Sequence, residues 1–245
     1  MLDFIGFTPL IIFLSAFQTI AGVGILVLGT PIMLLLELEI VEVMILLLPL
    51  SILNSFINIV YLKYKSKNNQ INRNIKNFFF LICLPGIFLG LIILKLLNEY
   101  LNFNLLVSLT IWLFLFFNFF KKKNVNISNI FKKYLIFITG IIHGLTNSGG
   151  SLLSMLVVNE YKKNLDYIRY QIIFFYFFLA LFHFISIIII FDSVFFASLE
   201  ISYLLSLIIG IIIGNVLLKR ININRLRNII FTLAFISSIF LISQA

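Results

Sequence analysis

Long apolar runs separated by short polar stretches fill the whole chain and predict a series of membrane-spanning helices. A run of about 20 apolar residues lets a helix cross the hydrocarbon core of a bilayer. Apolar segments of roughly this length or longer cover residues 4–36, 41–62, 77–97, 103–120, 134–158, 170–191, 199–218 and 227–243. The pattern therefore predicts an all-helical polytopic membrane protein.

Two of these segments are interrupted by glycine and small polar residues. The first interruption has the sequence IAGVGILVLGTP, at residues 20–31, and the second has the sequence HGLTNSGGS, at residues 143–151. Glycine lets the backbone leave helical angles, which exposes N–H and C=O groups. Within a bilayer those groups need protein, water or ligand partners, and a matched pair of broken helices points to the binding site of a transporter.

The composition agrees with a membrane protein and argues against other classes. Of the 245 residues, 62% are hydrophobic and only 11% are charged. The net charge of +9 could indicate nucleic acid binding, but the charges fall between apolar segments as membrane sidedness requires, so no nucleic acid partner is expected. Two histidines and one cysteine form no metal-ligand cluster, and no catalytic triad or phosphate-binding loop stands out. We therefore expect no enzyme activity, no cofactor and no metal.

Basic residues concentrate in four of the connections between segments. Residues 61–77, 121–133, 159–169 and 218–228 hold five, five, three and four of the 18 Lys and Arg residues. Because cytoplasmic connections are enriched in Lys and Arg, we expect all four in the cytoplasm and the N-terminus outside. The expected location is the inner membrane of a bacterial cell.

Eight simple crossings cannot place all four basic connections on one side. The conflict disappears when segment 134–158 enters and leaves on the cytoplasmic side, as two half-helices that meet at the interruption. Segment 4–36 is longer than one crossing needs, and we expect it to form the matching re-entrant hairpin from the outside. Each half of the chain then holds one hairpin and three transmembrane helices, so the second half is inserted upside down relative to the first.

Short similarities between the halves support this inverted repeat. Residues 90–98, GLIILKLLN, align with residues 214–222, GNVLLKRIN, and Gly86 and Gly210 precede these stretches by four residues. Glycines spaced in this way are expected at helix contacts. The offset of 124 is close to the offset of 125 that aligns the two interruptions. The predicted organisation is a first transmembrane repeat at residues 1–120, a cytoplasmic basic linker at residues 121–133 and a second transmembrane repeat at residues 134–245.

The interruptions supply most of the candidate ligands. The half-helix after each interruption begins inside the membrane, where its free N–H groups and positive dipole end can bind an anion without a buried cation. The candidate substrate-binding residues here are Gln18, Gly22, Gly24, His143, Thr146, Asn147, Ser148, Gly149, Gly150 and Ser151. The alternative is that the glycines only permit close helix packing. Their occurrence at matched positions of both halves favours a site.

Polar residues on the second and sixth segments add further candidates. One face of the second segment carries Ser51, Asn54, Ser55 and Asn58. Asn54 and Asn58 either line the transport pathway or hold helices together by hydrogen bonds, and both are included as candidate substrate-binding residues. Tyr176 and His183 occupy corresponding positions in the sixth segment, 125 residues after Ser51 and Asn58.

The two histidines, His143 and His183, both lie within apolar segments. An ionisable residue in a membrane segment is a functional candidate, and histidine titrates near neutral pH, which would suit proton coupling. The alternative is a neutral histidine that is hydrogen-bonded in a packed helix. We prefer His143 as a site residue because it adjoins an interruption.

The interrupted segments resemble those of the TauE/SafE family, also called the toluene sulfonate uptake permease family. Residues 17–35, FQTIAGVGILVLGTPIMLL, are similar to the first glycine-rich segment of the family, and residues 143–158, HGLTNSGGSLLSMLVV, are similar to the second. Asn147 and Ser151 stand where the family usually has glycine, and Leu156 stands where a proline is common. The resemblance implies two homologous halves and transport of small sulfur-containing anions.

Residues and resemblance together predict a secondary transporter, expected to be an exporter, of a small anion such as sulfite or a sulfonate, working by alternating access. The expected partners are this solute and the lipid bilayer, and formation of a homo-oligomer stays open. Two other functions stay open as well. A non-transporting membrane scaffold or assembly factor would co-purify with a partner, and a passive anion channel would show flux that does not saturate.

The orientation of the second hairpin can be tested by cysteine labelling. Single cysteines at positions 160–164, in a Cys83→Ser background, should react with a membrane-impermeant maleimide only from the cytoplasmic side, because the hairpin is expected to return there. A cysteine in place of Glu200 is the control, because this position is expected outside and should react only from the outside. Labelling of positions 160–164 from the outside would refute the re-entrant hairpin.

Overall fold

The computed structural model describes residues 4–65, 71, 73–97, 99–120, 129–160, 165–191, 200–218, 232, 235–236 and 238–243. These residues form helices joined by turns and include no strand. After a 3-10 turn at Phe4–Phe7, the helices are α1 (Thr8–Ala21), α2 (Ile25–Leu35), α3 (Ile40–Lys65), α4 (Arg73–Phe78), α5 (Leu84–Leu97), α6 (Phe103–Phe120), α7 (Asn129–Thr146), α8 (Gly150–Glu160), α9 (Leu165–Phe191) and α10 (Ile201–Leu218). A π turn at Phe79–Cys83 joins α4 to α5, and residues 238–243 are helical as well.

The distribution of apolar side chains is that of a protein solvated by lipid. Among the described residues, the helices long and apolar enough to cross a membrane are Ile40–Lys65, Lys76–Leu97, Asp166–Phe191 and Ile201–Leu218. Large apolar side chains face outward, as Leu205 and Ile212 do with 56% and 59% of their surface exposed. Polar side chains such as those of Gln18 and Asn54 are buried inside. Since an apolar exterior this extensive would be unfavourable in water, the predicted polytopic membrane fold is confirmed.

The predicted segments agree with the observed helices except near some ends. Helix α9 begins at Leu165 rather than at residue 170, so Arg169 lies inside a helix and not in the connection at 159–169. Helix α7 begins at Asn129, within the predicted linker at 121–133. Residues 1–3, 121–128, 161–164 and 219–231, which include parts of the N-terminus, the linker and two basic connections, lie outside the described residues.

Both predicted helix breaks occur, and they occur at aligned positions. Helix α1 is followed by Gly22, whose φ is 81° and whose N–H donates to the carbonyl oxygen of Gln18 at 2.8 Å. Helix α7 is followed by Asn147, whose φ is 59° and whose N–H donates to the carbonyl oxygen of His143 at 2.8 Å. Glycine adopts this left-handed conformation at little cost, and asparagine tolerates it better than most residues do. The backbone conformation thus explains both residue types.

A close contact between α5 and α7 joins the two halves of the chain. Gly86 and Gly90 of α5 face Gly140 and Gly144 of α7. A Cβ atom added at Gly86 would lie only 2.8 Å from the carbonyl oxygen of Phe137. The two backbones therefore pack without intervening side chains, as the glycine spacing in α5 predicts. The matching glycine pair in α7 was not identified from the sequence.

An equivalent contact joins α10 to α1. Gly210 and Gly214 of α10 face Ser15 and Thr19 of α1, and a Cβ atom added at Gly210 would lie 2.5 Å from the carbonyl oxygen of Ile12. Each contact thus places the first half-helix of one half against the glycine-bearing helix of the other half. The internal repeat has a counterpart in the packing, while the opposite insertion of the two halves stays a prediction.

The α5–α7 contact should be intolerant of even one added methyl group. We expect Gly86→Ala to destabilise the folded protein by about 1–3 kcal/mol, because the helices must move apart to relieve the overlap. Thermal unfolding in detergent measures the loss. Gly6→Ala is the matched control, since no atom lies within 4 Å of a Cβ at Gly6. Equal stability of the two variants would contradict the close contact.

Candidate functional site

The twelve candidate residues are all buried in this structure. They form three groups, which lie at the first break, on the adjacent face of α3 and at the second break. Several of the side-chain contacts that link these groups involve residues that the sequence analysis did not identify as ligands.

Gln18 organises the first break. Its Nε2 donates to the carbonyl oxygen of Ser51 at 3.1 Å and to Oγ of Ser55 at 3.0 Å. Its Oε1 accepts a hydrogen bond from the backbone N–H of Ile25 at 3.1 Å. Gln18 therefore ties α1 to α3 and satisfies one free N–H group at the start of α2.

Asn54 and Asn58 connect α3 to α1. Asn54 Nδ2 donates to Oγ of Ser15 at 2.7 Å, and Asn58 Nδ2 donates to Oγ1 of Thr19 at 3.1 Å. Asn58 Nδ2 also donates to Oδ1 of Asn54 at 2.9 Å. In this structure both asparagines hold helices together by hydrogen bonds, which is the second of the two roles considered for them.

Three hydroxyl groups at the second break donate to nearby backbone carbonyls. Thr146 Oγ1 donates to the carbonyl oxygen of Ile142 at 2.7 Å, and Ser148 Oγ donates to that of Thr146 at 3.0 Å. Ser151 Oγ donates to the carbonyl oxygen of Ser148 at 2.9 Å. These donors would have to turn away from the backbone before they could bind an anion.

The two half-helix N-termini differ in how many N–H groups they leave free. At α8, the N–H groups of Ser151 and Leu152 donate to the carbonyl oxygens of Ser148 at 3.4 Å and Gly149 at 3.1 Å, which tightens the first turn. At α2, the first backbone hydrogen bond of the helix runs from Leu28 N–H to the carbonyl oxygen of Gly24 at 2.9 Å. The N–H groups of Leu26 and Val27 come before this bond in the chain and are left free by it. The N-terminus of α2 is therefore the more open end for an anion.

Tyr176 of α9 spans the space between the two N-termini. Its ring packs on Gly150, the first residue of α8, so closely that a Cβ atom there would overlap the ring. Its hydroxyl group lies against the backbone N–H groups of Gly24, Leu26 and Val27 without a hydrogen bond of good geometry to any of them. The sequence placed Tyr176 on the inner face of its helix but did not identify it as a link between the breaks.

A direct hydrogen bond also connects the second break to α2. Asn147 Nδ2 donates to Oγ1 of Thr30 at 3.1 Å, and among the described residues Oδ1 of Asn147 has no partner. Thr30 had no assigned role in the sequence analysis. The side chain of Asn147 thus carries hydrogen-bonding capacity at the point where the two hairpins meet.

Arg169 places a positive charge beside the first break. Its guanidinium group donates to the carbonyl oxygen of Thr19, in the last turn of α1, and lies 3.7 Å from Oδ1 of Asp166. Lys65 approaches the other oxygen of Asp166 at 2.7 Å. Arg169 is therefore a buried cation that the sequence analysis assigned to a connection, because α9 extends further than predicted and carries it inside.

His143 and His183 face each other next to the second break. Their ring centroids are 4.8 Å apart, and the ring planes are inclined by 70°. Both rings are fully buried. Among the described residues, no group of three His, Cys, Asp or Glu side chains could hold a metal ion. Among the described residues, none of the four ring nitrogens of the pair has a hydrogen-bond partner.

Comparison with known proteins identifies the family. The family model described as sulfite exporter TauE/SafE matches residues 7–241, a range that includes both helix breaks and both glycine contacts. Neither the curated proteins nor the solved structures that were compared with the chain gave a match. Because the family model covers nearly all of the 245 residues, the chain belongs to the TauE/SafE family of membrane transporters.

Proposed function

We propose that the protein is a secondary transporter of a small anion, sulfite or a sulfonate, which binds between the two helix breaks. The family description supplies the class of solute. The single observation that carries the assignment to this place is Tyr176, whose ring packs on the start of α8 and whose hydroxyl faces the start of α2. Two helix N-termini within reach of one side chain form a compact region of positive potential.

In this proposal the anion takes the place that the Tyr176 hydroxyl group occupies in this structure. The N–H groups of Leu26 and Val27 would bind it, and the Tyr176 hydroxyl would turn to donate to it. Asn147 would add a side-chain amide from the opposite hairpin. Gln18 and Arg169 would hold the first break in shape, since both bond to its backbone.

Alternating access would move units that do not coincide with the two repeats. The glycine contacts fasten α1 to α10 and α5 to α7, and each contact crosses between the halves. Because such backbone contacts have little room to slide, we propose that each pair moves as one body. Rocking of one whole repeat against the other would require both contacts to break.

Anion binding should be detectable as stabilisation of the detergent-solubilised protein. At a concentration of 100 times Kd, a ligand specific to the folded state adds about 2.7 kcal/mol of stability. We expect a rise in melting temperature with sulfite, thiosulfate or a sulfonate, and a smaller one with carboxylates. Asn147→Gly keeps the left-handed backbone and removes the amide, so it should weaken this response by roughly tenfold in Kd.

The matching transport assay uses proteoliposomes. Saturable exchange of the stabilising anion supports a transporter, while flux that does not saturate supports a channel. Absence of both stabilisation and flux, together with a co-purifying partner, would support a scaffold and overturn the proposal. A Gly149→Leu variant would not test anion binding, because its Cβ atom would lie 2.5 Å from the carbonyl oxygen of Thr139 and would disturb the fold itself.

The Tyr176 hydroxyl should contribute directly to anion affinity. Tyr176→Phe keeps the ring on Gly150 but removes one hydrogen-bond donor, so the Kd for the anion should rise about tenfold while the fold is kept. Titration calorimetry or the thermal shift measures this change. Tyr203→Phe is the matched control, because Tyr203 is also buried with a hydroxyl that has no hydrogen-bond partner among the described residues. An equal effect of both substitutions would remove Tyr176 from the site.

A further inference from the structure

The pair formed by His143 and His183 is unusual in having no partner for any ring nitrogen among the described residues. A neutral imidazole carries one N–H donor and one acceptor nitrogen, and burial without partners is unfavourable for both. A histidine that only stabilises helix packing would be expected to hydrogen-bond a carbonyl or hydroxyl group. The pair is therefore a buried polar group that its surroundings leave unsatisfied.

The aligned residue in the first half shows what a purely structural group looks like here. Gln18 lies 125 positions before His143, and its amide hydrogen-bonds Ser51, Ser55 and the N–H of Ile25. At the second break, both His143 and His183 are fully buried but lack such bonds. The two breaks share their backbone conformation and differ in this polar environment.

The pair is coupled to the second break through the backbone. The carbonyl of His143 accepts the N–H of Asn147, the residue that ends α7. Gly149 packs against His143 so closely that a Cβ atom would lie 2.7 Å from the His143 Cβ. His143 also stands in the last turn of α7, directly before the break.

We propose that His143 and His183 together bind one transported proton, and that this proton couples anion movement to the pH gradient. The inference rests on the proposed function. A proton from water on one side binds a ring nitrogen of one histidine, which then donates an N–H···N hydrogen bond to the other ring. The ring centroids are 4.8 Å apart without such a bond, so one ring turns on protonation to bring two nitrogen atoms to about 2.9 Å from each other. The same proton leaves to water on the opposite side.

The pair takes one proton rather than two. A second proton would place two positive charges on rings 4.8 Å apart in a buried environment, where like charges repel strongly. One proton carried with one monovalent anion leaves the net charge of the loaded protein unchanged. This pairing lowers the cost of moving an anion through an apolar interior.

Few other titratable groups lie at the depth of the pair on the elements packed against it. Tyr176, seven residues before His183 on α9, is about 10 Å away along the helix axis. Cys83 of the π turn lies against α7, and Lys95 of α5 donates to the carbonyl oxygen of Ile190, seven residues beyond His183. The charged residues of α3, α7, α8 and α9 lie within about two turns of the helix ends, and α6 has none. Among the described residues, the two histidines are therefore the titratable side chains at this depth whose rings contact each other.

The test compares two transport modes of labelled sulfite in the same proteoliposomes. One mode is exchange at equal pH with sulfite on both sides, and the other is accumulation driven by an imposed pH gradient, each corrected for protein-free liposomes. We expect His183→Gln to lower the ratio of driven accumulation to exchange at least tenfold, and His143→Gln to act in the same direction. Ser186→Ala, a buried change one turn away on α9, should leave the ratio as in the wild-type protein.

Each outcome decides between the two proposals. Exchange by the wild-type protein without a response to the pH gradient overturns the proton site and leaves the transport function intact. A parallel loss of exchange and accumulation in folded His183→Gln protein, with an unchanged ratio, assigns the pair a structural role and overturns the inference. Absence of sulfite exchange by the wild-type protein overturns the proposed function, and the proton site falls with it.

Discussion

Backbone hydrogen-bonding groups that a broken helix releases must find partners, because lipid and apolar side chains offer none. Many of the buried polar side chains of this protein supply these partners. Gln18 accepts the first N–H of α2, Arg169 donates to the last turn of α1, and the hydroxyls of Thr146 and Ser148 donate to carbonyls at the second break. Among the described residues, the N–H groups of Leu26 and Val27, which face the Tyr176 hydroxyl without a hydrogen bond of good geometry to it, are the less completely satisfied part of this arrangement. An anion is the ligand that such groups prefer.

Close packing of backbones places the two breaks beside each other. The contacts of α5 with α7 and of α10 with α1 leave no room for side chains, so the broken helices are held at a fixed depth in the bundle. Each contact links the two halves of the chain, which makes the halves interlock rather than sit side by side. Under the proposed alternating access, motion that exposes the proposed site to one side would preserve these contacts and occur between them, where polar side chains such as Asn147 and Thr30 meet.

The two helix breaks could be predicted from the sequence, because local backbone chemistry decides where they occur. Gly22 and Asn147 break their helices because glycine tolerates a positive φ and asparagine tolerates it better than most residues do. The partners of the candidate side chains were beyond such reasoning. The hydrogen bond of Asn147 to Thr30 joins residues 117 positions apart, and no periodicity or spacing indicates which residue of another helix a side chain will reach. Arg169 was assigned to a connection for a related reason, since a single charge before an apolar run does not reveal whether the helix has already begun.

The sequence by itself determined the class of protein, the apolar helices and the two breaks, and it predicts an internal repeat. These features depend on hydrophobicity, on periodicity and on the conformational preferences of single residues, which are local properties of the chain. Only the tertiary structure decided that Gly140 and Gly144 face α5, that Tyr176 spans the starts of α2 and α8, and that His143 meets His183. These pairings depend on the distance and rotation between helices. Those quantities are set by the packing of the whole bundle and not by any one segment.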